Sequence, residues 1–73
     1  MTHTLQTTAL YVGIDVSKET LAVATYPNAT VQVIPNDYAP CEALANELAA
    51  QPVAFVLLEA SGGFEKTIVQ ALQ

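Results

Sequence analysis

The chain has 73 residues, 52% of them hydrophobic and only 12% charged, with a formal net charge of -5. That length accommodates one domain at most, and the composition excludes a disordered segment, which would need low hydrophobicity and high charge. Asp15, Glu19, Asp37, Glu42, Glu47, Glu59 and Glu65 face only Lys18 and Lys66, so weak binding to DNA or RNA is expected of this surface, because affinity for a phosphate backbone rests on Lys and Arg displacing counterions.

Residues 1–9 are polar and Thr-rich and carry no Lys or Arg, which argues against a secretory signal and predicts a disordered leader before a domain over residues 10–73. His3 lies in that leader without metal-ligand spacing to any partner and is read as a bystander. Residues 9–16 are apolar and β-branched and are closed by Ser17-Lys18-Glu19, which predicts a strand and a tight turn. Residues 21–26 follow as a second strand, Pro27-Asn28 breaks the pattern, and residues 30–34 alternate as a half-buried third strand. Such short connections favour an antiparallel meander.

After Pro35-Asn36-Asp37 the period changes. Cys41, Leu44, Ala45 and Leu48 fall at i, i+3, i+4 and i+7, one face of an amphipathic helix. Asn36 or Asp37 is the expected cap, Pro40 suits the first turn, and Gln51-Pro52 ends the helix. Cys41 is the single cysteine, so no internal disulfide forms; a small buried side chain in a reducing cytoplasm is expected. Residues 53–58 are continuously apolar, the mark of a strand covered on both faces, and fall far short of the about 20 residues that span a bilayer. Ser61-Gly62-Gly63 then opens a last helix with Phe64, Ile68 and Leu72 on one stripe, Glu65 helping to cap it.

The order β-β-β-α-β-α fixes directions. Two hairpins and a helical crossover make the first and fourth strands parallel, so Asp15 and Glu59 emerge at the same edge of the sheet, where open α/β sheets bind ligands. An Asp at a strand end commonly just forms a turn. Glu59, directly after an apolar run, needs a partner, solvent or a metal. If the strands are neighbours, about 4.8 Å apart, both carboxylates reach a common cation.

The other candidates are read more plainly. Gly62-Gly63 is a turn rather than a phosphate cradle, Lys18 and Lys66 are solvated surface, and Tyr11, Tyr26, Phe55 and Phe64 are core or sheet-surface residues. Ser17 and Ser61 lack a nearby histidine, which sets serine-hydrolase chemistry aside.

The block Tyr11-Val12-Gly13-Ile14-Asp15-Val16-Ser17-Lys18-Glu19-Thr20-Leu21, with Leu58-Glu59-Ala60-Ser61-Gly62-Gly63-Phe64-Glu65 downstream, closely resembles the N-terminal part of the insertion sequence 110-type transposases. In that family the first block reads VGIDVSK and the second EATGGYE, and the resemblance runs through nearly all of residues 11–73. It implies the front of a three-layer, ribonuclease-H-like α/β domain with a mixed sheet, related to Holliday-junction resolvases, in which four acids (Asp, Glu, Asp, Asp) hold two Mg²⁺ ions. On that mapping Asp15 and Glu59 are the first two catalytic, metal-holding acids. The activity implied is Mg²⁺-dependent strand cleavage and exchange in DNA transposition and recombination, by oligomers guided by a structured RNA.

The family's third and fourth acids, and its C-terminal domain with a strand-transfer serine, belong to regions beyond those matched here. The resemblance therefore implies the front of a transposase, a truncated gene remnant or a fragment, expected to be inactive by itself. Ala22 stands where many relatives have Asp, outside the four acids; Ser61 for Thr and Phe64 for Tyr are mild changes. Two other readings compete. One is the front half of a sugar-kinase or actin-like ATPase, although Val16-Ser17-Lys18 places no glycine where backbone would approach phosphate. The other is a non-enzymatic acidic domain that self-associates through an uncovered sheet edge or docks on a full-length transposase.

Overall fold

Strand β1 (Leu10–Val16) shows how an almost wholly apolar run acquires two faces. Leu10, Val12, Ile14 and Val16 are buried, whereas Tyr11 and Asp15 are exposed and Gly13 is half-buried. The strand lies inside a four-stranded sheet of order β3-β2-β1-β4 in a computed structural model that describes residues 9–60 and 62–73. The leader expected over residues 1–9, His3 within it and Ser61 lie outside the described residues, apart from Ala9.

β2 (Thr20–Tyr26) returns antiparallel to β1, and β3 (Thr30–Pro35) returns antiparallel to β2. The first turn is closed by Ser17 N–H donating to the Thr20 carbonyl at 2.9 Å, with the Ser17 hydroxyl donating to the same oxygen at 2.9 Å. In the second turn Ala29 adopts φ 57°, a left-handed conformation that crowds its Cβ.

Helix α1 (Tyr38–Ala49) crosses over the sheet and buries Cys41, Leu44 and Leu48, with Ala45 half-buried beside them. Asp37 takes the N-cap position in extended conformation but makes no side-chain cap bond; its carbonyl accepts the Cys41 N–H at 3.1 Å. Pro40 falls in the first turn, where no intrahelical donor is needed. The last turn tightens as Ala50 N–H donates to the Glu47 carbonyl and Gln51 N–H to that of Leu48, and Pro52 ends the run.

β4 (Val53–Ala60) pairs parallel with β1, as the chain directions require. It is an edge strand, and here the expectation of two covered faces fails: Ala54, Phe55 and Leu57 are exposed, and only Val53, Val56 and Leu58 turn toward the core. A continuous apolar run does not say how many faces are covered; the number of packing layers does. α2 (Lys66–Leu72) begins later than the sequence suggested. Gly62 and Gly63 take φ of 79° and 76°, which rules out a helical start there, so Phe64 lies in the preceding turn rather than on the helical stripe. Glu65 occupies the N-cap position with no side-chain cap bond.

A single core joins Val12, Ile14, Val16, Leu21, Val23, Cys41, Leu44, Leu48 and Ile68. All the strand members of this set project to one side, and both helices pack there against each other and the sheet. The described residues therefore form two layers of a mixed α/β fold, and among them nothing covers the opposite sheet face. No helix among them is long and apolar enough to cross a membrane.

Candidate metal centre

The bare sheet face is organised in rows running across the strands. The register places Phe55, Tyr11 and Tyr26 in the first row, Leu57, Gly13, Ala24 and Val31 in the second, and Glu59, Asp15, Ala22 and Val33 in the third. Tyr11 and Phe55 pack ring to ring with centroids 5.0 Å apart and planes inclined by 58°. Small residues in the second and third rows leave a shallow trough of about 310 Å³ over Gly13, Ala22 and Ala24, walled by Tyr26, Val31 and Leu57. Asp15 and Glu59 close one end of it. A Cβ built on Gly13 would meet nothing within 4 Å, so the trough is open above that residue.

Asp15 and Glu59 are direct partners in the parallel ladder, and both are exposed. This pairing depends on one irregularity. Leu10 pairs with Val53, but Tyr11 pairs with Phe55, so Ala54 is an extra residue on β4. Such a bulge shifts the register by one, and a one-residue shift exchanges the two faces of a strand. Had the Leu10–Val53 register continued, Asp15 would lie beside Leu58, and Glu59 would turn toward the helices. The bulge brings the second carboxylate round to the first.

The two acids form a hard, anionic oxygen-donor set suited to Mg²⁺ or Mn²⁺ rather than to soft metals. The donor set fits such a cation through two protein ligands, its other positions left to water and substrate oxygens. Among the described residues no group of three or more His, Cys, Asp or Glu side chains gathers around a common point, so the pair stands without a third protein ligand there. Lys18 and Lys66 are exposed, as read from the sequence. Ser17, whose hydroxyl is engaged with Thr20, is held in a turn rather than poised as a nucleophile. Tyr11, Tyr26 and Phe55 prove to be sheet-surface residues, and Phe64 is also exposed.

Behind the acids lies a residue that the sequence offered only as a helix cap. Asn36 follows β3 directly, and its Nδ2 donates to the Ser17 carbonyl at 2.8 Å and to the Phe64 carbonyl at 3.0 Å. Its backbone N–H donates to the Glu19 carbonyl at 2.9 Å. The buried Cys41 thiol approaches Asn36 Oδ1 at 3.9 Å. Burial, with Asp37 and Glu42 adding negative charge nearby, raises the Cys41 pKa above the usual thiol value, so the thiol remains a donor at neutral pH. The only sequence signal for Asn36 was its place in the breaker Pro35-Asn36-Asp37, which does not reveal contacts with two distant loops.

Comparison with protein-family models, curated proteins and solved structures finds no significant match to this chain.

Proposed function

We propose that this chain supplies the first two carboxylates of a Mg²⁺-dependent nuclease site of ribonuclease-H-like type, in a DNA transposase resembling the insertion sequence 110 family. The observation that carries the reading is the register: Asp15 and Glu59 are ladder partners on adjacent parallel strands and point to the same open face. The order and pairing of the elements are compatible with that fold. Asp15 and Glu59 would help hold the metal; a completed site with two Mg²⁺ ions would supply polarisation of a scissile phosphate and stabilisation of the attacking and leaving oxygens. The trough beside the pair leaves room for a strand to approach.

Two carboxylates hold Mg²⁺ weakly, and a net charge of -5 opposes binding of DNA or a guide RNA. The residues described here are accordingly inactive alone. A reducing, cytoplasmic setting suits the lone buried Cys41. The reading is tested by titrating Mn²⁺ while recording amide NMR spectra: paramagnetic broadening centred on Asp15 and Glu59 supports it, and broadening elsewhere or none overturns it. Cleavage of supercoiled plasmid by this chain, lost in Asp15→Ala, would overturn the inactivity.

A second reading, self-association, is favoured by the bare face. Tyr11, Tyr26, Val31, Val33, Phe55 and Leu57 are each at least 44% exposed, on the order of 100 Å² apiece and about 600 Å² together, close to the about 800 Å² per partner of a standard interface. A second copy of this chain is the proposed occupant. Sedimentation velocity should show a dimer that Leu57→Glu dissociates; a wild-type monomer at about 100 μM, well above the roughly micromolar affinity of weak interfaces of this size, would refute it.

A further inference from the structure

We infer that Asn36 is a positioning residue that sets the separation of Asp15 and Glu59; the inference rests on reading that pair as the metal site. Ser17 is two residues beyond Asp15, at the exit of β1, and Phe64 is five beyond Glu59, past the exit of β4. One side-chain amide donates to the carbonyls of both. The turn that leaves β1 and the turn that follows β4 are thus joined by a third element that touches neither acid.

Asparagine suits this task by its atom types. Its NH₂ supplies two donors in one plane, and its oxygen remains free to accept. With both nearest carbonyls on the Nδ2 side and the Cys41 thiol on the Oδ1 side, the amide has one orientation that satisfies every partner. Aspartate would set a negative oxygen against two carbonyl oxygens, and alanine would leave both to water, with no link between them. The need for a tie comes from β4 itself. It is an edge strand held by β1 on one side only, and it leads into Gly62 and Gly63, the most permissive residues for backbone motion. With the Asn36 bonds removed, the exit of β4 frays and Glu59 loses its fixed place beside Asp15.

The experiment compares wild type, Asn36→Ala and Asn36→Ser with Leu48→Ala, which weakens the core at the far end of α1. Mn²⁺ affinity is read from the electron paramagnetic resonance signal of the free ion, at a temperature where circular dichroism shows each variant folded. Amide exchange is followed at Glu59, Ala60 and residues 62–65 in metal-free buffer. Both Asn36 variants should bind Mn²⁺ more weakly by more than about twofold, the low end of the coupling between residues linked through a shared backbone shift, and should exchange faster at the β4 exit. Leu48→Ala should be less stable yet bind Mn²⁺ like wild type. Wild-type binding with Asn36 variants within twofold of it overturns the positioning role and leaves the metal reading intact. Equal weakening by Leu48→Ala also overturns it, since loss of stability alone would then account for the effect. Unchanged exchange at the β4 exit overturns the tie without reference to metal. No Mn²⁺ binding by wild type overturns the metal reading, and this inference with it.

Discussion

Asp15→Asn is expected to stabilise the metal-free protein and to abolish its response to divalent cations. The two carboxylates are ladder partners, on strands about 4.8 Å apart. Unit charges about 5 Å apart repel by about 0.8 kcal/mol at the dielectric constant of water, in line with the roughly 0.2–1 kcal/mol by which facing side-chain pairs alter a sheet. Asparagine removes one charge at nearly constant volume, so the variant gains up to about 1 kcal/mol at low ionic strength, and salt erodes the gain. A cation reverses the order. With a dissociation constant on the order of 1 mM, about 10 mM Mg²⁺ adds about 1.4 kcal/mol to wild type and little to the variant. For a domain of this size, whose whole stability is about 4–11 kcal/mol, both changes are measurable. Urea unfolding with chelator and with Mg²⁺, on wild type, Asp15→Asn, Glu59→Gln and the double variant, gives the values. The double variant should gain no more than the better single one, because the repulsion has already gone. If Asp15→Asn is destabilising in chelator, the carboxylate is a structural partner and the reasoning fails; wild-type stability indifferent to Mg²⁺ removes the metal half.

Ile68 is fully buried and is the one buried residue of α2, so Ile68→Ala should cost about 2–5 kcal/mol and release α2 before the sheet melts; a loss under about 1 kcal/mol in urea unfolding, below that cavity range, would show that α2 is held otherwise. Gly62→Ala combines a left-handed φ of 79° with a Cβ 2.6 Å from the Phe64 ring and should lower stability by about 1–2 kcal/mol, whereas a matching melting temperature would show that the loop re-forms without strain. Because the Cys41 pKa is raised in the folded protein, its contribution to stability is fully present below the ordinary thiol pKa and is lost as pH rises through the folded value. Unfolding free energies measured on the alkaline side should therefore fall more steeply for wild type than for Cys41→Ala, and parallel curves would contradict the thiol's burial.

The chain by itself determined a good deal. Short breakers at Ser17-Lys18-Glu19 and Pro27-Asn28 force hairpins, and the period change at Cys41, Leu44 and Leu48 forces a helix; together these dictate that β1 and β4 run parallel with their acids at one edge. Such signals are local, and neighbouring residues suffice to produce them. Three features were decided only by tertiary packing. Whether residues 53–58 are covered once or twice depends on how many layers meet the sheet, and both helices chose the same face. Where α2 starts depends on two glycines adopting positive φ, although Phe64, Ile68 and Leu72 fit a helical stripe equally well on paper. Most consequential is the extra residue at Ala54. Nothing in an unbroken apolar run marks which residue will bulge, because register is an agreement between two strands distant in sequence. That one residue turns Glu59 toward Asp15, and Asn36, reaching from a third element, ties the exits of both strands behind them.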